Sequence, residues 1–566
     1  MLRAVLLAAA LPFLGGGKPA AAIDYILGAD AQASGTPVLS VEIRLRGDAD
    51  GETRLALPED VAGGENAWRF VSDFTVKGAK VTAPDAAHRL LRHRPNAKLV
   101  VRYRVQTAYD HPPQSGGNPY AGPLIQPEWF ALLGEYVFVA PEGRDAEPVT
   151  FAWGRLPAGW RGVSDLEHSG LTVGKITESI SMAGAHLAVA ERPIPGGTLR
   201  VASLGDGPYK GDALADSVAG TIAAERGFWN DQREPYLVAF VPLVPARPGS
   251  VSVGGTGRGD GFVLYATPDQ DDLVRWTIAH EHTHTWIPGR VGSLPAKDEA
   301  VDYWFSEGFT DFFANRLMLR AGRATGPEVV VRLDRMLRAY DASPVKTALA
   351  ARIVADFWTD PVVQQLPYQR GQLLALKWDE AVRRKTGGKL DLDDVILRMR
   401  DHYQRFRPGD GPDVVTGFVS AMWVTAGLDI RADIARYAEG GAIVDLPDEM
   451  FDGCLQARVT VTPAFDAGFD ADASFAAKVM KGVRRRGPAW NSGLRDGMAL
   501  DAWTYKAGDM TRQIELTLRP PGKRARPRKI TFWPYGDATA ETRKLQLTPG
   551  LTDAQRAACT RKIAGL

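Results

Sequence analysis

The chain is expected to be a multidomain α+β protein: an N-terminal β-sandwich, a central unit of mixed sheet plus helices, and a small C-terminal β module. Three observations predict this. Early stretches such as VLSVEIRLR (38–46) and LVVRYRVQTAY (99–109) alternate apolar and polar residues, the period of half-buried strands. Further strands follow (TLRVASL, YLVAFVPL, GFVLYA) with one helical stretch, DALADSVAGTIAAERGFW, before the pattern turns mostly helical to about Leu446. From Pro447 short strand patterns return around GPAWNSGLRDGM. With 566 residues, of which 45% are hydrophobic, the chain exceeds the roughly 250–300 residues at which one core stops growing.

The expected boundaries are 1–22 for an export segment, 23–170 for the sandwich, 171–446 for the sheet and helical lobe, 447–545 for the C-terminal module and 546–566 for a tail. Residues 1–22 carry one early cation, Arg3, an apolar stretch from Ala4 to Leu14, and small residues at Ala20, Ala21 and Ala22. That is the layout of a secretory signal peptide, and its apolar stretch is shorter than the ~20 residues a membrane span needs. No cysteine sits at Ala20–Ala22 to take a lipid, so a periplasmic or secreted location is expected, with no integral membrane segment after its removal. Cys454 and Cys559 are the two cysteines. In an oxidising compartment they can bridge, tying the tail back; the alternative is two buried thiols.

Lys and Arg total 68 against 67 Asp and Glu, so no bulk field draws the protein to nucleic acid. Arg484-Arg485-Arg486 and the basic stretch from Lys523 to Lys529 read as solvated loops without stacking aromatics, and no nucleic-acid partner is expected.

Thr267-Pro268-Asp269-Gln270 offers a cap, a proline at the first helical position and a glutamine three residues after the cap. A helix is expected from there through LVRWTIAHEHTHTW. His280 and His284, four apart, then share one face and can grip one tetrahedral metal, with Glu281 at its edge. This is the H-E-x-x-H arrangement, in which zinc activates water and the glutamate takes its proton. Chance supplies only ~0.006 such patterns in a chain with this His and Glu content, so composition does not account for it. His282 points to the far side and reads as a packed or solvent-facing histidine. His88, His93, His111, His168, His186 and His402 are scattered and read as structural.

Catalytic zinc takes a third protein ligand and keeps one position open. Glu307 in YWFSEGFTDFFANRL is the expected third ligand, on a helix that returns antiparallel over the first. Asp311, four residues on, shares its face and is expected to accept the second ring N–H of a ligand histidine, most simply His280.

These residues resemble the glycyl aminopeptidase family of gluzincin zinc metallopeptidases. The segments that carry the resemblance are HEHTHTW (280–286), WFSEGFTDFFANRL (304–317) and LPYQRGQLLALKWDEAVRRKTGGKLDLDDVI (366–396). It implies a β-domain, a thermolysin-like catalytic domain and a following PDZ domain, with one Zn²⁺ per chain and a peptide or protein as substrate. It also implies that Tyr368 hydrogen-bonds the oxyanion, and it raises Arg370 as a polar group at the cleft rim. Gly487–Met498 is similar to the helix and turn of a bacterial PDZ domain, with Gly468-Phe469 as its carboxylate-binding loop for a C-terminal peptide ligand.

One departure from the family pattern lies at Gly254–Gly261. Relatives carry a Gly-Gly-Leu-Glu-His-like strand whose acid anchors a substrate amine; here glycine falls at the acidic position, leaving Asp260 as the candidate replacement. The segment fits no nucleotide fingerprint and reads as a hairpin at the cleft edge, where a peptide can add as a strand. The expected function is a zinc metallopeptidase, as an aminopeptidase. The alternatives are an inactive PDZ-centred scaffold and a gluzincin acting on a non-peptide substrate.

Overall fold

The computed structural model describes residues 23–566 except 34, 60–63, 206, 233–234, 408–409, 511 and 520–525. The expected export segment and part of the Lys523–Lys529 stretch lie outside the described residues. Two sheets form the N-terminal sandwich. One orders Val149–Trp153, Ile23–Asp30, Val38–Arg46, Lys98–Val105 and Val71–Lys77; the other contains Ala140–Pro141, Glu52–Ala56, His88–Arg92 and Lys80–Thr82. Their inward-facing residues, among them Tyr25, Leu27, Val41, Ile43, Leu91 and Val101, form one core, as the two-residue alternation requires. A third sheet joins Arg161–Ser164, Ile180–Gly184, Trp129–Leu133 and Leu124–Gln126. It therefore runs across the expected junction at residue 170, because Ile180–Gly184 finds its partners in the preceding layer.

The central sheet comprises β1 (Ala188–Ile194), β2 (Gly197–Ser203), β3 (Tyr236–Pro242), β4 (Val253–Arg258) and β5 (Gly261–Ala266), in the order β1-β2-β3-β5-β4. Strands β2, β3 and β5 run parallel, while β1 and β4 are antiparallel edges. Strands β3 and β5 read as continuous apolar runs because both faces are covered. Leu237, Ala239, Val241, Val263 and Tyr265 pack toward the N-terminal layers. Val238, Phe240, Phe262 and Leu264 pack toward helices, against Val218 and Ile222 of α1 (Asp212–Trp229) and Val274 and Ile278 of α2 (Asp271–Thr283).

The helical lobe continues with α3 (Tyr303–Arg320), α4 (Gly326–Ala342) and the long α5 (Pro361–Thr386). Helix α4 starts at a capping box, with Thr325 and Glu328 satisfying each other's backbone N–H groups. Helices α3 and α5 touch backbone to backbone at Gly308 and Gly371. A Cβ on Gly371 would stand 1.7 Å from the Trp304 carbonyl oxygen, and one on Gly308 would stand 2.3 Å from the Gly371 Cα. Glycine at both places is what lets the two helices cross so closely. No described helix is long and apolar enough to cross a membrane.

Beyond the lobe, Leu455–Phe465 and Tyr535–Leu547 form a long antiparallel ribbon whose ends join the helical core through Leu455, Ala457 and Leu545. Arg543 of the ribbon pairs with Asp341 of α4. The module between them, with strands Leu500–Thr504, Ile514–Leu518 and Arg528–Phe532, has its own core of Met480, Leu494, Leu516 and Ile530. At the expected carboxylate-binding loop, the Gly468 N–H already donates to Asp466 Oδ1 at 2.8 Å. The chain then enters a helix, Ala471–Ala477, capped by Asp470, rather than a free edge strand. Phe469 packs inward beside Phe475 and Tyr505.

Cys454 and Cys559 form a disulfide closing 105 residues, and Cys559 lies on α6 (Asp553–Ile563). Arg316 and Arg320 of α3 also donate to carbonyls at the end of this helix, Ile563 and Gly565. A loop of about 100 residues is worth up to ~4.7 kcal/mol in the chain-entropy model. The doubly substituted Cys454→Ser/Cys559→Ser protein is therefore expected to unfold at a temperature several degrees lower by calorimetry, while retaining the geometry of the cleft. An unchanged midpoint would show that the hydrogen bonds alone hold the tail.

Candidate metal centre

The helix carrying HEHTH begins at Asp271, not at Thr267. The Thr267 hydroxyl is drawn instead to the backbone of Ser252, accepting from its N–H at 3.1 Å, and Asp269 takes a left-handed turn at φ 61°. The buried Tyr209 hydroxyl accepts from the Gln270 N–H at 2.8 Å and does the capping from a distant loop. Tertiary contacts thus override the local cap.

From this start, α2 and α3 run antiparallel and bring three donor atoms together. His280 Nε2 and His284 Nε2 stand 3.0 Å apart, and Glu307 Oε2 lies 3.3 Å from the first and 3.4 Å from the second. A tetrahedral ion with metal–donor bonds of about 2.0–2.1 Å has donors roughly 3.3–3.4 Å apart, so the triangle has the size a zinc ion needs. The other ring nitrogens settle the proton positions. His280 Nδ1 faces Asp311 Oδ1 at 3.1 Å, and His284 Nδ1 faces the Ile287 carbonyl at 2.9 Å. A carboxylate and a carbonyl only accept, so each Nδ1 donates and each Nε2 presents a lone pair. Two lone pairs and a carboxylate oxygen converging on one point repel each other unless a cation sits between them. Among the described residues this is the one such His/Cys/Asp/Glu cluster that could hold a metal ion.

Electrostatics agree with the geometry. Burial pushes the Glu307 carboxyl up; positive charge on His284 and His280, which they carry when protonated and no cation lies between them, outweighs it and holds the group well below the usual carboxylate range, so Glu307 is a carboxylate in either state. Burial raises Glu281, with His280 and His284 opposing, which suits a group that must take up a proton. Tyr368, on α5, lies against His280 with ring centroids 5.8 Å apart. Burial, then Glu307 and Glu281, push its phenol well above the ordinary value, so it stays an O–H donor. The Gly308–Gly371 crossing is what carries Tyr368 over Glu307.

The five site residues His280, Glu281, Glu307, Asp311 and Tyr368 line one cleft of about 940 Å³ with His284. Its edge is β4. A Cβ on Gly255 would sit 2.5 Å from Glu281 Cγ and 2.6 Å from its carboxyl Cδ and Oε1, and one on Gly254 would sit 2.4 Å from the Tyr120 hydroxyl. Gly255→Ala is therefore expected to displace Glu281 and lower kcat by about a hundredfold, the size of a misplaced ~1 Å geometry, with little change in melting temperature. A variant with unimpaired kcat would show that Glu281 can move aside freely.

Two sequence expectations are corrected. Arg370 does not reach the cleft: it is fully buried, and its Nη atoms donate to the carbonyls of Ala438, Lys346 and Ala348 at 3.2, 3.0 and 2.8 Å. Its role is to tie loops to α5. Asp260 does not stand in for the missing acid of the strand motif, because it turns to Lys175 at 3.2 Å and His168 at 3.7 Å, outside the cleft lining. The acids at that end of the cleft include Glu135, paired with Arg258 at 2.6 Å, and Glu178. Both come from the N-terminal layers and have no motif in sequence. Of the two places open to His282, packed or solvent-facing, it takes the packed one, with Nδ1 2.5 Å from Glu225 Oε2 and its ring against Tyr236 and Trp286. Burial drives Glu225 up and His282 down, so the pair is neutral, the Glu225 acid donating to the imidazole.

Residues 274–365 match the family model described as M61 glycyl aminopeptidase. That segment runs from within α2 through α3 and α4 to the first turn of α5, and it holds His280, His284 and Glu307. The fold is similar to the crystal structure of an aminopeptidase N family protein from Idiomarina loihiensis, with TM-score 0.65 and 15% identity over 96% of this chain and 99% of that one. An M1 zinc metallopeptidase from Deinococcus radiodurans is also similar, with TM-score 0.46 and 16% identity over 76% of this chain and 95% of that one. A mutant of the latter bound to the peptide Tyr-Ser-Ala gives TM-score 0.47 at 16% identity over the same shares. A comparison with curated proteins finds no match.

Proposed function

We propose that the protein is a zinc-dependent metallopeptidase acting as an aminopeptidase, in which His280, His284 and Glu307 hold the metal. The observation that carries this reading is the convergence of two imidazole Nε2 atoms and one carboxylate oxygen beside a separate, buried glutamate. Zinc, when bound, supplies Lewis-acid polarisation of the scissile carbonyl and makes water a nucleophile at neutral pH. Glu281 takes the proton from the attacking water and hands it to the leaving amine. Tyr368 donates its O–H to the oxygen that gains charge in the tetrahedral state. Asp311 and the Ile287 carbonyl hold both imidazoles in the tautomer that faces the metal. The exposed edge of β4 offers backbone groups along which an extended peptide adds as a strand.

An intact Glu281 argues against a metal-binding scaffold without activity, since scaffolding needs no base. The C-terminal module fits a PDZ-like unit with a supporting role, because Asp466 already occupies the Gly468 N–H that a ligand carboxylate would take. The disulfide fits an oxidising compartment, in line with export to a periplasm or the medium. Cleavage of a peptide library with and without a chelator, read by mass spectrometry, tests the whole reading. N-terminal trimming abolished by the chelator supports it; cleavage that survives the chelator, or none at all, overturns it. Peptides with blocked N-termini separate aminopeptidase from endopeptidase action.

A further inference from the structure

Three arginines line the cleft: Arg258, Arg290 and Arg332. Two are committed to carboxylates, Arg258 to Glu135 and Arg290 to Asp231. Arg332, on α4, differs. Among the described residues no carboxylate lies within 4.0 Å of its guanidinium nitrogens. Its Nε donates to Asn315 Oδ1 at 3.1 Å, and its Cζ sits 4.6 Å above the centroid of the Trp276 ring. One hydrogen bond and one aromatic face thus fix the plane of the guanidinium, while both terminal NH₂ groups remain uncommitted.

The helices give its place. Trp276 lies four residues before His280 on α2, and Asn315 lies four residues after Asp311 on α3. At 1.5 Å of rise per residue, both put Arg332 about 6 Å along the cleft from the His280–Asp311 pair. An extended peptide covers that in about two residues. The opposite end, where β4 finishes at Arg258, carries Glu135 and Glu178. The cleft is therefore polar lengthwise, with acids at one end and an unpaired, half-buried arginine at the other.

We infer that Arg332 recognises a carboxylate on the substrate, about two residues from the scissile bond on the side of the leaving group, by a bidentate contact. This rests on the peptidase reading for the identity of the substrate. A planar fork held on an aromatic ring matches a carboxylate as an ammonium does not. Burial lowers the guanidinium's proton affinity, opposed by Asp311 and Asp272, so an incoming anion relieves an existing cost. A carboxylate in that place comes either from the C-terminus of a tripeptide or from an acidic side chain in a longer one.

The test compares Ala-Ala-Ala with its C-terminal amide, and Ala-Ala-Asp-amide with Ala-Ala-Asn-amide. Both kcat/KM of the wild type and calorimetric binding to Glu281→Gln are measured, each with and without Arg332→Gln or Arg332→Lys. The carboxylate member of at least one pair is expected to be favoured by about tenfold to a hundredfold, the range for a hydrogen-bonded charge. Arg332→Gln should reduce that preference to within about twofold, and Arg332→Lys should keep part of it. The pair that responds names the source. Equal handling of both pairs by the unsubstituted protein, or a preference that persists in Arg332→Gln, overturns the inference. If no peptide is cleaved, the peptidase reading fails, and the binding preference still decides the role of Arg332. Arg332→Lys keeps the charge, so a fold-wide defect in Arg332→Gln is recognisable by its absence there.

Discussion

Glu281→Gln is expected to take up zinc as the wild type does and to lose between about a hundredfold and ten-thousandfold in kcat, the usual contribution of a positioned general base. The amide is isosteric, so neither the packing against Gly255 nor the ligand triangle is disturbed. It accepts no proton at working pH, so the step that removes one from water loses its receiver. Metal content by atomic absorption and turnover of an aminoacyl substrate separate the two effects. Should the variant turn over at the wild-type rate with full metal, the base lies elsewhere in the cleft. A parallel loss of metal would instead mean that Glu281 is part of the ligand set.

Glu307→Ala is expected to lose stoichiometric zinc and at least about a thousandfold in turnover, since a Lewis acid contributes several kcal/mol of charge stabilisation. The reason lies in the geometry described above. Glu307 Oε2 is within 3.4 Å of both imidazole nitrogens, and it brings the negative charge to a set whose other members are neutral. Without it, two lone pairs remain and only a weak bidentate site is left. Asp311→Ala provides the graded comparison. It removes only the partner of the His280 ring N–H, and a tenfold to hundredfold loss of metal affinity is the usual effect at about that distance from the ion. Dialysis against a chelator followed by zinc titration should restore activity to the wild type and Asp311→Ala but not to Glu307→Ala. Full zinc binding by Glu307→Ala would remove Glu307 from the ligand set.

How much of this was legible in sequence differs from residue to residue. The spacing of His280 and His284 is a property of any α-helix, and an acid on a following antiparallel helix was enough to anticipate Glu307 and then Asp311. The alternating runs likewise announced the sandwich, and the apolar runs YLVAFVPL and GFVLYA announced β3 and β5 as strands. The helix start at Asp271 was missed because a distant hydroxyl, Tyr209, outcompetes the local threonine for the cap. Arg370 and Asp260 stayed open candidates because a sequence shows that a residue is polar but not what it will meet when buried. Glu135, Glu225 and Arg332 gave no signal beyond their charge. The glycines Gly308 and Gly371 did leave one, as isolated glycines inside helical patterns, a common mark of close backbone approach.

The sequence by itself determined the chemistry: which residue types repeat at a helical interval, which apolar runs are strands, and which metal such a set would suit. Those are local properties, written in periodicity and side-chain identity. Only the tertiary structure decided which arginine stays unpaired in the cleft, which acids line its far end, and which loop residues are consumed by packing. These depend on contacts between separate segments, from 17 to 123 residues apart along the chain, and such pairing follows from how whole layers pack rather than from any one segment.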